Sequence, residues 1–149
     1  MEQNTKIVWL ASRLLENANE FIRGELRREG AADLTPAHGD ILNSLYLRDG
    51  LSVSELARAA RRTKSTVSVL VDRLAAAGYV EKRPSEEDSR AVGVWLTEKG
   101  RAFREREERI SRRLNERLTR NLRGHEVAAL EDFLERCAAS FAGEDGRQK

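Results

Sequence analysis

Two short helical segments, each with its own N-terminal cap and only three residues apart, constrain the fold of this chain most. Ser52 to Glu55 fits a capping box, in which Ser52 caps the helix and Glu55 reaches back from the third helical position. Thr63 is placed to cap the second segment, and residues 64–77 contain neither glycine nor proline. The short connection between the two segments, Arg61 to Thr63, predicts a helix-turn-helix.

The sequence after the second helix predicts a β-hairpin. Gly78 is a natural helix stop, and residues 79–83 and 91–96 have the composition of two strands. Alternation in the second strand predicts a half-buried face made of Val92, Val94 and Leu96. The polar residues 84–90 between the strands are too many for a tight turn. The stretch 51–96 is therefore expected to fold as a winged helix-turn-helix.

The second helix has an apolar side and a short, polar, mildly basic side. At about 100° per residue one set of positions falls together and should face the core: Val67, Leu70, Val71, Leu74 and Gly78. The other side carries small side chains and hydroxyl groups near the helix start, which a helix in the DNA major groove requires. The positive helix N-terminus adds a place for phosphate. An ordinary amphipathic surface helix is the alternative at this point.

Short motifs along the chain, taken in order, resemble the MarR family of bacterial winged-helix regulators. These motifs are Val53-Ser54-Glu55-Leu56-Ala57, Ser65-Thr66-Val67, Leu70-Val71-Asp72-Arg73-Leu74, Gly78-Tyr79-Val80, Asp88-Ser89-Arg90 and Leu96-Thr97-Glu98-Lys99-Gly100. The likeness is close over the central half of the chain, and helix order extends it to nearly the whole. The chain departs from the family at the turn 61–63, which lacks a glycine, and at Gly93, where a bulkier strand residue is expected. Gly93 marks either a bulge or a close backbone approach.

The residues predicted to contact DNA form three groups. Those expected in the major groove are Lys64, Ser65, Thr66, Ser68 and Val69. Those expected to grip phosphate or to brace the helix-turn-helix are Arg61, Arg62 and Arg73. In the resembling family an Asp-x-Arg pair shapes the wing, and its arginine meets DNA. The resemblance therefore implies that Asp88 fixes the wing loop and that Arg90 enters the minor groove.

The segments that flank this region are predicted to be helical. Residues 6–29 carry a broad apolar stripe, and Thr35 and Pro36 have the N-cap and N1 signature of a second helix. Thr97 caps a highly charged helix of about 25 residues, roughly 37 Å long, which we expect to be a spacer. Near the C-terminus a coiled-coil-like seam is predicted from Val127, Leu130, Leu134, Cys137 and Phe141.

We therefore expect a mainly α fold with a small β-hairpin wing. The predicted divisions are an N-terminal dimerisation helix (1–33), a winged helix-turn-helix (34–97), and a long linker helix followed by a C-terminal dimerisation helix (98–149). Together they would form one interwoven domain. The apolar ends predict a homodimer, with a monomer whose ends pack on themselves as the alternative. A two-fold dimer would place two recognition helices about 34 Å apart on a two-fold symmetric site in double-stranded DNA.

Charge and composition bear on the other classes. The net charge is only +2, but residues 58–90 hold eight Lys or Arg against five Asp or Glu, a modest basic patch compatible with DNA. The single cysteine, Cys137, excludes an internal disulfide, fits a reducing cytosol and is expected to be a small buried hydrophobe. No apolar run approaches the roughly 20 residues of a membrane-spanning helix, and no signal peptide is recognised. We therefore expect a cytoplasmic protein without a membrane partner.

The remaining residues give no sign of catalysis. The chain has no Gly-rich phosphate loop and no nucleophile elbow, and His38 and His125 are expected at the surface, so neither an enzyme nor a cofactor or metal site is predicted. Trp95 is expected to leave the hairpin core. The predicted function is a sequence-specific DNA-binding regulator, a dimeric repressor, for which the resemblance implies control by a small aromatic ligand. The alternative is a winged-helix protein-interaction module that does not bind DNA.

Overall fold

The computed structural model describes residues 4–84 and 91–143, which contain seven helices and three short strands. In chain order these are α1 (Ile7–Arg28), α2 (Pro36–Leu47), β1 (Leu51–Ser52), α3 (Val53–Ala60), α4 (Lys64–Ala76), β2 (Val80–Pro84), β3 (Val92–Leu96), α5 (Glu98–Ala102), α6 (Arg104–Thr119) and α7 (Gly124–Ala139). The chain divides into two compact units, Met1–Leu114 and Asn115–Lys149. The predicted mainly α fold with a small β wing is confirmed.

Local capping sets the starts of the helices in the centre of the chain. The Ser52 hydroxyl accepts from the Glu55 N–H at 3.1 Å, and the Ser52 N–H donates to the Glu55 carboxylate at 3.4 Å, as the capping box predicts. Thr63 accepts from the Thr66 N–H at 3.2 Å and so begins α4 at the predicted residue. These bonds satisfy backbone donors that would otherwise be unpaired at the helix starts.

In the turn between α3 and α4, an arginine takes the position that a glycine usually fills. Arg61 adopts the left-handed conformation, with φ 51° and ψ 46°. The next N–H, that of Arg62, donates to the Ala57 oxygen at 3.0 Å and closes the end of α3. The left-handed conformation costs about 1 kcal/mol for a residue with a Cβ, a cost that the surrounding folded structure offsets. The tight helix-turn-helix forms without its usual glycine.

The wing is part of a three-stranded antiparallel sheet with the strand order β1-β3-β2. β1 was not predicted, and the expected two-stranded hairpin is therefore an incomplete description. Leu51 pairs with Val94, and β2 pairs with β3 from Val80↔Leu96 to Pro84↔Val92 without interruption. The unbroken pairing shows that Gly93 does not mark a bulge. A Cβ there would lie 3.0 Å from the Trp95 indole nitrogen and 3.4 Å from the Gly50 oxygen, so the tightest neighbour is a side chain and not the backbone.

The prediction that Val92, Val94 and Leu96 form a half-buried face of β3 is only partly correct. Val94 and Leu96 are buried, but Val92 is 46% exposed because it lies at the outer end of the strand. Trp95 points to the other side, as predicted, and covers the Gly50 turn. Gly50 has φ +74°, and a Cβ there would meet the indole at 2.5 Å. Trp95 thus packs the wing against the end of α2.

The core of the first unit is formed between α2, α3, α4, the sheet and the α5–α6 segment. Its most buried large side chains are Phe103, Ile41, Leu42, Leu45, Leu56, Leu74, Val67, Val71 and Val94. Val67, Leu70, Val71 and Leu74 are buried, as predicted for the inner side of α4, whereas Gly78 lies beyond the end of the helix and is half-buried. Gly100 of α5 is essential to the packing, because a Cβ there would lie 2.1 Å from the Tyr79 backbone oxygen.

The prediction of a single polar spacer helix after the wing is wrong in two respects. It begins at Glu98 under the Thr97 cap, but it is interrupted at Phe103 and ends at Thr119. Phe103 and Ile110 are also buried in the core of the first unit, which makes the start of α6 a core element. Further along the same apolar stripe, Leu118 and Leu122 are 39% and 38% exposed.

Ion pairs join the end of α1 to α6. Arg113 donates to the buried Glu25 carboxylate at 2.6 Å, and Arg109 donates to Glu29 at 2.9 Å. The hydrogen bond from Arg113, followed by that from Arg28, lowers the pKa of Glu25 against the opposing effect of burial. Although Glu105 lies four residues before Arg109 on α6, the Arg109 guanidinium bonds to Glu29 and so links two helices.

His38 was expected at the surface, and this expectation is wrong. The imidazole is buried at the third position of α2, where its Nδ1 accepts from the Thr35 N–H at 2.9 Å. His38 thus does for α2 what the glutamate of a capping box does for other helices. Because burial lowers the pKa of His38, the ring stays neutral and can accept this bond.

The second unit contains α7, whose apolar side chains are largely uncovered. The exposed large side chains of this unit include Leu130, Phe133, Leu134 and Phe141. Cys137, expected to be buried in the seam, is exposed in the single chain. Within the second unit, no described element covers this side of α7.

Candidate nucleic-acid interface

The outward face of α4 is formed by Ser65, Ser68, Val69, Asp72 and Ala76, all of which are exposed. Thr66 and Arg73, which flank this face, are exposed as well. The buried positions of α4 hold this face away from the core, so no other described element of the first unit covers it. The face is about three helical turns long and carries only short side chains at its start. Its size and shape allow close approach to a flat-walled groove.

Hydroxyl groups gather at the start of α4. The Thr63 hydroxyl donates to that of Thr66 at 2.9 Å and lies 3.2 Å from that of Ser65. Lys64 is exposed in the same turn. A positive helix end, a lysine and three hydroxyls together form a surface that can bind phosphate or the edges of bases.

The predicted arginines are placed differently from one another. Arg61 and Arg73 are exposed, Arg61 in the turn before α4 and Arg73 near the helix end. Arg62 donates from its Nη2 to the Asp40 carboxylate of α2 at 2.9 Å. Both side chains of that pair are partly exposed, so it is a weak interaction that a phosphate can replace. Two roles were predicted for Arg62, phosphate binding and bracing of the helix-turn-helix. Its bond to Asp40 corresponds to the bracing role.

Lys82 of β2 joins this surface and was not predicted there. Its Nζ donates to the Asp72 carboxylate at 2.5 Å, which neutralises the acidic group on the outward face of α4. On the adjacent strand position, Arg83 pairs with Glu81. Sequence reasoning missed the Lys82–Asp72 pair because the two residues belong to different elements. Their opposite charges beside a predicted hairpin are the signal that was available.

Asp88 and Arg90, the predicted wing residues, lie outside the residues that the structure describes. The strands that lead to them are well fixed. The Asp49 carboxylate accepts from the N–H groups of Leu96 and Gly50, at 2.9 Å and 3.0 Å, and so ties β3 to the end of α2. The roles of Asp88 and Arg90 stay predictions.

A cavity of about 130 Å³ lies in the first unit between α1, α2 and the α5–α6 segment. It is lined by Ile22, Leu26, Leu34, Thr35, Pro36, Gly39, Asp40, Asn43, Phe103, Glu107, Ile110, Ser111 and Leu114. Glu107 is only 8% exposed, and its Oε1 accepts from Asn43 at 3.0 Å. Burial raises the pKa of Glu107. The same cavity wall includes Asp40, which holds Arg62 at the start of the α4 surface.

Neither a metal-ligand cluster nor a membrane-crossing helix occurs within residues 4–84 and 91–143. No group of three or more His, Cys, Asp or Glu residues there is placed to hold a metal ion. None of the helices in that part of the chain combines the length and apolarity that crossing a membrane requires.

The chain is similar to known transcriptional regulators in sequence and in structure. A family model described as "MarR family" matches residues 32–91. The multiple antibiotic resistance protein MarR of Escherichia coli is 32% identical over 105 residues, which cover 70% of this chain and 73% of the relative. A mutant E. coli MarR solved in complex with operator DNA is 27% identical, with a TM-score of 0.80 and coverage of 88% of this chain and 92% of that one. The PcaV regulator of Streptomyces coelicolor, solved with its natural ligand, shares the fold at a TM-score of 0.81 and 23% identity, over 93% and 95% of the two chains.

Proposed function

We propose, from the premise that this chain belongs to the MarR family of transcriptional regulators, that it is a dimeric repressor that binds double-stranded DNA sequence-specifically. The observation that carries the proposal is the outward face of α4, which is exposed, short in its side chains and flanked by basic residues. The operator complex of the related E. coli protein supports DNA as the partner. We also propose that the protein acts in the cytoplasm, where DNA is accessible, and that it has no catalytic activity.

The contacts follow from the positions of the side chains. Ser65, Ser68 and Val69 would meet base edges in the major groove, and Lys64 and Thr66 would meet bases or phosphate at the helix start. Arg61, Arg62 and Arg73 would bind phosphate. Arg90 would enter the minor groove, with Asp88 shaping its loop. Repression would follow because the protein occupies a promoter that polymerase needs.

The dimer is proposed from apolar surface that the single chain leaves uncovered. In α1 this surface consists of Ile7, Val8, Trp9, Leu10, Leu14 and Leu15, and in α7 of Leu130, Phe133 and Leu134. Exposed apolar surface on this scale usually marks an interface. Each of these surfaces can pack against a second copy of the chain, and a two-fold dimer would present one α4 to each half-site of a symmetric operator.

Selection of bound duplexes from a random DNA pool, followed by titration at several salt concentrations, tests this function. We expect a two-fold symmetric site, bound by two copies of the chain with a salt-dependent affinity. Enrichment of no sequence, together with no salt-dependent affinity, would favour the winged-helix protein-interaction module instead. Sedimentation of the free chain checks the dimer separately.

A small aromatic ligand is proposed to control this binding from the cavity in the first unit. Its volume of about 130 Å³ is close to that of an engineered cavity of about 150 Å³ that takes up benzene, so a single ring fits. Asn43, Ser111 and Glu107 offer polar groups at its wall. Asp40 lies in the same wall and pairs with Arg62, so a bound ligand can alter the start of α4.

A panel of one-ring compounds tests this control. A ligand should raise Tm and weaken operator binding in the intact protein, since it would bind one arrangement of the chain better than the other. In Asp40→Asn the rise in Tm should persist and the effect on DNA should shrink. A compound that weakens DNA binding equally in both proteins would rule out the Asp40 route.

A further inference from the structure

The middle of the outward face of α4 is occupied by an exposed apolar side chain. Val69 is 51% exposed, whereas Val67 and Val71 on the same helix are buried. The structure describes every residue of α4, and Val69 is the only large hydrophobic side chain of this helix that is exposed. A valine at this position gains nothing from water, and within the first unit no described element covers it. Its methyl groups therefore lie at the centre of the face that would meet DNA, where an apolar group of the partner can cover them.

The neighbours of Val69 are poorly equipped to distinguish one base from another. Ser65 and Ser68 carry hydroxyls, which bond to donors and acceptors alike, and Ala76 carries only a methyl. The carboxylate of Asp72 pairs with Lys82 at 2.5 Å, and it can accept from cytosine only where this exposed ion pair opens.

Long side chains that could read guanine or adenine are absent from the centre of α4. The helix has no asparagine or glutamine, and its two cations, Lys64 and Arg73, lie near its opposite ends. A bidentate bond to guanine can therefore form only at the ends of the contacted sequence, and a bidentate bond to adenine from an amide side chain cannot form from this helix.

In the major groove, the apolar group on a base edge is the C5 methyl of thymine. The short side chains of Ser65, Ser68 and Ala76 allow α4 to approach until the Val69 methyls reach it. We infer that Val69 selects a thymine at one central position of each half-site, and that this contact, more than a hydrogen bond, sets the base preference there. The inference rests on the proposed function and names the sequence class that the same surface reads.

Replacing thymine by deoxyuridine in the selected operator tests the inference, because it removes the methyl and leaves base pairing intact. Each central thymine is replaced in turn, and Kd is measured for the full-length protein. We expect one position per half-site at which the wild type loses about fourfold in affinity, the factor for burial of one methyl group. Replacing both symmetric positions should cost about fifteenfold, since distant sites act additively.

Variants assign this loss to one side chain. In Val69→Ala the deoxyuridine penalty should vanish, and in Val69→Thr, which keeps one methyl and the same shape, it should be intermediate. Val92→Ala is the matched control, because Val92 is 46% exposed but belongs to β3. It should retain the full penalty, since the thymine methyl lies in the major groove.

The outcomes separate this inference from the function on which it rests. A chain that enriches no duplex overturns both. A chain that binds a symmetric operator but tolerates deoxyuridine at every position, or that shows the same penalty in Val69→Ala as in the wild type, overturns the inference and leaves the proposed function standing. Far-ultraviolet circular dichroism checks that each variant is folded.

Discussion

The Arg62–Asp40 ion pair allows the bracing and DNA-binding roles of Arg62 to be separated. The two side chains are 37% and 51% exposed and lie 2.9 Å apart, so the pair contributes about 0.2–1 kcal/mol to stability. Loss of either partner should lower Tm by no more than roughly 4 °C in a chain of this size. If phosphate replaces Asp40 in the complex, the energy of the pair is lost each time DNA binds.

Asp40→Asn should therefore tighten operator binding. Releasing Arg62 from a pair worth about 0.2–1 kcal/mol corresponds to a gain of roughly 1.4- to 5-fold for each protomer that contacts DNA. Arg62→Ala should do the opposite and also lower the slope of log Kobs against log salt by about 0.9 per protomer, because one phosphate contact is lost. Arg62→Lys keeps the charge and serves as the control for that slope.

Fluorescence anisotropy on the selected operator, at four or more salt concentrations, measures both quantities. The reasoning is refuted if Asp40→Asn weakens binding as much as Arg62→Ala does and neither changes the salt slope. That result would mean that the pair persists in the complex and that Arg62 only positions the turn before α4.

Three further predictions concern the core, the wing and the α1–α6 contact. Gly100→Ala should destabilise the fold by about 1–3 kcal/mol or more, because its Cβ would overlap the Tyr79 oxygen, whereas Gly124→Ala, where nothing lies within 4 Å, should not; urea denaturation compares the two. Arg90→Ala should weaken operator binding and leave Tm unchanged, and an unaltered Kd would remove Arg90 from the interface. Because Arg113 and Arg28 hold the pKa of Glu25 below its ordinary value of 4.5, the stabilising effect of Glu25 is present above that pH and is lost as pH falls through the lowered pKa; Glu25→Gln should make stability fall less steeply in this acid range, and parallel curves would contradict the assignment.

The helix starts and the inner side of α4 could be predicted from sequence because their causes are local. Ser52, Glu55 and Thr63 form their caps with residues three positions away. The periodicity of α4 places its apolar residues on one side whatever packs against them. The motifs that resemble the MarR family added the order of the elements, and the comparisons confirm that order.

What sequence could not give depends on contacts between distant elements. β1 has two residues, too few to show alternation, and it exists because Leu51 meets Val94. The burial of His38 is set by the elements packed around α2, and its neutral ring takes a role usually filled by glutamate. The same is true of the outward surface, where the partners of Arg62 and Asp72 come from α2 and β2.

One measurement tests the central claim most directly, that the outward face of α4 lies in duplex DNA. Ser68→Glu places a negative charge on that face at an exposed position, and Asn121→Glu adds the same charge in the exposed segment between α6 and α7. With the operator titrated against both variants, Ser68→Glu should lose at least tenfold in affinity through repulsion by phosphate, with its fold and oligomeric state intact, while Asn121→Glu binds like the wild type. If Ser68→Glu binds as tightly as Asn121→Glu, this face of α4 does not contact DNA.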